Sequence, residues 1–143
     1  MKRALRVALI VMRLALGGLF VYGGVQKFIP KDRPQSGSTI ELPDHVIKIK
    51  SFIGGMKQTG YFWEFLGVAE ILGGALLLSQ VLSLLGAFIL FPIVLNIFLF
   101  HAFLEPHDTG ELFMTGLYLI ANLVIIFYHF PDLKQTFLKF KLT

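Results

Sequence analysis

"GVAEILGGALLL", residues 67–78, decides the fold: it is apolar except for one carboxylate, Glu70, and no Lys or Arg lies within eight positions of it on either side. In lipid an ionised acid costs at least a few kcal/mol and requires a partner or a proton. The composition favours lipid. Of the 143 residues 55% are hydrophobic, only 15% are charged and 15 are Phe, and the mean hydropathy is +0.73, well beyond a soluble domain of this length.

Working outward from this stretch, four apolar runs, at about 5–28, 61–79, 81–104 and 112–130, reach or approach the roughly 20 residues needed to cross about 30 Å of hydrocarbon. The expectation is an all-α fold, a single membrane domain over 1–143 built as a four-transmembrane-helix bundle. The first run follows Lys2, Arg3 and Arg6 as a signal peptide would. Arg13 interrupts its apolar core and no small-x-small site follows, so it reads as an uncleaved helix. Positive residues at both termini, a first loop that is long and mixed in charge, and a third loop with acids but no Lys or Arg favour cytoplasmic termini.

Residues 29–60 form the long external loop, whose first part carries three of the six prolines. Within 45–59, Val46, Ile49, Phe52, Ile53 and Met56 recur at helical spacing with Lys48, Lys50 and Lys57 between them. Such a stripe fits a short interfacial helix with snorkelling lysines, or a loop helix packed on the bundle. A tight turn at Ser79–Ser83 makes the second and third spans an antiparallel hairpin.

A rise of about 1.5 Å per residue then gives depths below the loop face: about 14 Å for Glu70, 12 Å for Asn96, 15 Å for Asn122 and 9 Å for Tyr118. Three helices thus contribute to one polar layer. Arg13 falls at about 22 Å, close enough to serve as the counter-ion of Glu70; alternatively Arg13 snorkels to the far surface and Glu70 keeps its proton. Gly17, Gly18, Gly23, Gly24, Ala69, Gly73 and Gly74 allow close helix packing, and Pro92 falls mid-span with a kink expected there.

Several chemistries are excluded. The chain has no cysteine, which removes disulfides, thiolate nucleophiles, iron–sulfur ligation and thiol–quinone exchange. His101 and His129 are about 25 Å apart along their helices and cannot bracket one haem. His101, Glu105, His107, Asp108 and Glu111 have suitable donors for a divalent ion but match no ligand motif, so they read as a solvated acidic turn and no metal is assigned. Phosphate loops, dinucleotide fingerprints and hydrolase triads do not occur. The net charge of +4 is juxtamembrane and points to lipid head groups, not nucleic acid.

"RLALGGLFVYGGVQKF" (13–28), "FLGVAEILGGALLL" (65–78) and "PIVLNIFLFHAFLEP" (92–106) resemble the signature stretches of the DoxX family of bacterial four-helix membrane proteins. The matching positions include Arg13, Lys27, Glu70, Asn96 and His101, and among them the resemblance adds Lys27 as a cation at the mouth of the site, or a simple interfacial anchor. Where relatives often carry a basic residue after the second helix, this chain has "SQVLS". The resemblance implies a multi-pass protein of the bacterial inner membrane, and the family is named for a subunit associated with quinol oxidation and thiosulfate:quinone oxidoreduction. Three functions are open. One is a small, at most quinone-binding, subunit of a membrane redox complex, with no intrinsic cofactor and a partner protein or second copy beside it. The second is a transporter component with Glu70 as its proton-coupled site, and the third is a scaffold or assembly factor. In the first, Glu70, Asn96 and possible ligands His101 or Tyr118 hold the quinone head group.

Overall fold

The computed structural model describes residues 2–30 and 43–129. Its described residues form helices alone: α1 (Lys2–Gln26), α2 (Asp44–Gln58), α3 (Phe62–Leu78), α4 (Ser83–Leu104) and α5 (Thr109–Tyr128). Among these, α1 from Arg3 onward, α4 and α5 are each long and apolar enough to cross a membrane. At 17 residues α3 spans only about 26 Å. It follows α2 across a bend of 89°, and the two together meet the same criterion as a broken span. The proline-rich half of the expected loop, residues 31–42, lies outside the described residues.

Glycine explains how the helices meet. α3 occupies the middle of the bundle between α1 and α4. A Cβ on Gly17 would stand 2.8 Å from the Gly74 carbonyl oxygen, and one on Gly74 would stand 2.7 Å from that of Gly17. Gly24 and Gly67 face each other in the same way, at 2.7 and 3.1 Å. On its opposite side α3 meets α4, where a Cβ on Gly86 would lie 2.6 Å from the Gly73 oxygen. Backbones this close gain the dispersion contacts and weak Cα–H···O bonds that drive association in lipid, where burial of apolar surface offers no advantage over acyl chains.

α4 and α5 pack through Leu90, Val94, Ile125 and Ile126, with Asn122 fully buried among them. The Asn122 amide donates to the Ala87 carbonyl at 3.2 Å. α4 continues through Pro92, which has no N–H for the Phe88 carbonyl one turn earlier.

Two turns fix the remaining geometry. Thr59 donates its hydroxyl to the Met56 carbonyl at 2.7 Å and accepts from the Phe62 N–H at 2.9 Å, while Gly60 takes φ +76°, so the chain turns sharply from α2 into α3. Ser79 plays the matching part after α3, donating to Leu76 and accepting from Leu82. Val46, Ile49, Ile53 and Met56 form the half-buried face of α2, and Phe52 packs its ring 5.5 Å from that of Phe100. Of the two settings expected for this stripe, it takes the one packed on the bundle, turned toward α3 and α4.

Candidate functional site

Glu70 is 3% exposed and its partner is Lys27. Lys27 follows the last turn of α1, and its Nζ reaches back to donate to Glu70 Oε2 at 2.5 Å. A buried, hydrogen-bonded pair of this kind satisfies two charges that would each be prohibitive alone. Arg13 is therefore not the counter-ion. The glycine register is the reason: with Gly17 against Gly74 and Gly24 against Gly67, Arg13 comes level with Leu78 and Glu70 with Val21, about 12 Å apart along the seam.

Trp63, in the first turn of α3, lies against the Lys27 ammonium. Lys27 Nζ lies 5.2 Å from its ring centroid, and Lys57 of α2 lies 4.7 Å from it. The indole thereby links α1, α2 and α3 through cation–π contacts.

The remaining polar residues do not form one layer. Arg13 lies at the other end of the bundle, donating to Gln80 Oε1 at 3.3 Å and approaching His129 Nε2 at 3.2 Å. Asn122 is held by Ala87, with its Oδ1 buried and unpaired. Tyr118 lines a shallow groove between α1 and α5 with Leu16, Leu19 and Ala121. His101 Nδ1 is 3.0 Å from Glu105 Oε2 near the end of α4. His107 and Asp108 line an open polar pocket of about 430 Å³ that also takes His45 from α2, its ring 6.4 Å from that of His107. Among the described residues no three His, Asp or Glu side chains converge as metal ligands.

Asn96 has a different setting. A groove of about 520 Å³ opens between α2, α3 and α4, lined by Phe52 and Met56, by Phe62, Phe65 and Leu66, and by Pro92, Ile93, Asn96 and Ile97. Asn96 is exposed into this apolar surface, eight residues from the end of α4, with no side-chain hydrogen bond to the described residues. The stripe in 45–59 pointed to Phe52 and Met56 but not to the groove. Trp63, Lys57 and Gln80 had no sequence signal beyond ordinary interfacial positions.

Glu70 lies one turn beyond groove-lining Leu66, and it is occupied by Lys27. The groove offers aromatic faces and one amide, which suits a flat apolar molecule with a hydrogen-bonding oxygen. The ion pair offers a fixed α1–α3 seam.

Neither the curated proteins nor the solved structures include a match to the chain. The DoxX family model matches residues 8–102, from the second turn of α1 to the end of α4, and so takes in Arg13, Lys27, Glu70, Asn96 and His101 while leaving out Tyr118 and Asn122. With two thirds of its length matched and its helices apolar enough for a bilayer, this chain is a membrane protein of the DoxX family.

Proposed function

We propose that the chain is a small integral subunit of a membrane redox complex and that it holds a quinone ring in the groove between α2, α3 and α4. The single observation carrying this reading is Asn96. A mid-helix amide facing an apolar groove without a partner is costly unless a ligand supplies one, and polar groups at membrane depth usually mark sites. Phe52, Phe62 and Phe65 supply faces on which a ring can stack. A quinone carbonyl would accept from the Asn96 amide.

In this reading α1, α3, α4 and α5 all cross the bacterial inner membrane, both termini are cytoplasmic, and α2 lies at the outer interface roofing the groove. The Lys27–Glu70 pair backs the groove by locking α1 to α3. The chain has no cysteine and no sequence signature for a redox group, so a partner protein supplies the electrons.

Native mass spectrometry of the protein released gently from its own membrane tests this, comparing wild type with Asn96→Leu. A quinone-sized adduct on wild type that the substitution removes supports the reading. Bare protein in both samples, or an adduct indifferent to Asn96, refutes it and leaves the scaffold role.

A further inference from the structure

We propose a second binding site, for the phosphate of an anionic phospholipid, at Arg13 on the opposite end of the bundle. Arg13 is 9% exposed, yet no carboxylate among the described residues pairs with it, and its Nε has no hydrogen-bond partner. Neither of its side-chain partners is a carboxylate. Gln80 Oε1 accepts from Nη1 at 3.3 Å. His129 Nδ1 lies 3.0 Å from the Ile125 carbonyl, so in the neutral ring Nδ1 carries the proton and Nε2 is left as the acceptor for Nη2.

Each partner is itself held in place. Gln80 donates its amide to the Leu77 carbonyl at 3.2 Å and adopts φ +60°, a left-handed conformation that a non-glycine residue rarely takes. His129 is oriented by Ile125. The result is a guanidinium fixed by two pre-positioned acceptors, its charge met among the described residues only by these dipoles and by the carbonyl ends of α3 and α5. An anion would complete this arrangement.

The level of the site indicates which anion. Gln80 lies in the α3–α4 turn and His129 immediately after α5, so three helix ends meet at Arg13, the level at which α3, α4 and α5 would end against lipid head groups while α1 runs on toward Arg6 and Arg3. Arg3 and Arg6, exposed on the first turns of α1, extend the same positive face. A phosphodiester presents oxygens that suit a planar guanidinium. This inference is independent of the quinone groove, whose Leu66 lies about 18 Å along α3 from the level of Arg13.

The test is native mass spectrometry of the full chain released from vesicles of equal phosphatidylglycerol and phosphatidylcholine, with a parallel sample in inorganic phosphate. Wild type is expected to retain phosphatidylglycerol, and Arg13→Gln to retain it roughly tenfold less, as on losing one charge-assisted pair of hydrogen bonds. Arg13→Lys should fall between them, because it keeps the charge and loses the fork. Gln80→Ala keeps the guanidinium but frees its orientation, so it must also lose lipid, and it carries the test if Arg13→Gln does not fold. Equal retention by wild type and Arg13→Gln would overturn the site. So would capture of inorganic phosphate without lipid, or wild-type lipid retention in Arg13→Gln combined with a stability loss in Asp132→Asn, which would assign the charge to the chain's own C-terminal segment.

Discussion

At the scale of single residues, the Lys27–Glu70 pair behaves differently when broken than when replaced. Lys27→Met leaves a buried carboxylate alone and should lower stability by about 3–5 kcal/mol, and Glu70→Leu should cost less, because the part-exposed Lys27 ammonium past the end of α1 can turn toward water. Lys27→Met combined with Glu70→Leu should recover most of that loss. Thermal unfolding of the three variants in one detergent reads the coupling directly, and additive losses would show that the contact has no energetic weight. The sequence made Glu70 conspicuous because an isolated acid in an apolar run needs a partner. It did not identify that partner, since depths counted from a loop face ignore how two helices slide along each other. The missing information was present in the glycines: Gly17 and Gly24 are seven apart, as are Gly67 and Gly74. Aligning those pairs brings Arg13 level with Leu78. Asn96 was legible as polar and mid-helix, but the groove it faces is made by α2, whose placement depends on a bend between distant apolar surfaces.

At the scale of elements, α3 is the helix with least freedom. Its Gly74 has the Gly17 oxygen at 2.7 Å and the Val21 nitrogen at 2.9 Å from where a Cβ would be, and both are backbone atoms that cannot yield without moving a helix. Gly74→Ala should therefore cost about 1–3 kcal/mol by overpacking. Gly18, with nothing within 4 Å of its own Cβ position, provides the control. Gly18→Ala should leave the unfolding midpoint unchanged or slightly higher, and equal losses at the two positions would show that the seam is looser than described. The helices themselves were legible because long apolar runs without charge have few alternatives in lipid. α2 was legible as a helix from its three-four spacing. Its direction was not, because the same stripe can face lipid or protein. The Thr59 and Gly60 hydrogen-bonding turn, a local signal, is what sends it across the groove.

At the scale of the whole molecule, a chain without cysteine can be mapped one thiol at a time. If α3 crosses the bilayer, Gly55→Cys in α2 and Ser79→Cys after α3 should react with a membrane-impermeant maleimide from opposite sides of sealed vesicles. Labelling of both from one side would make the α2–α3 pair a re-entrant excursion instead. The lengths of the helices have a further consequence. By rise alone α1 measures about 37 Å and α4 about 33 Å, whereas the glycine-locked α3 between them measures about 26 Å. Neighbours joined so tightly cannot tilt independently to equalise these lengths. If α3 crosses the bilayer by itself, the lipid has to adjust instead, thinner beside α3 than beside α4, so the protein would impose a step in hydrocarbon thickness on the membrane around it.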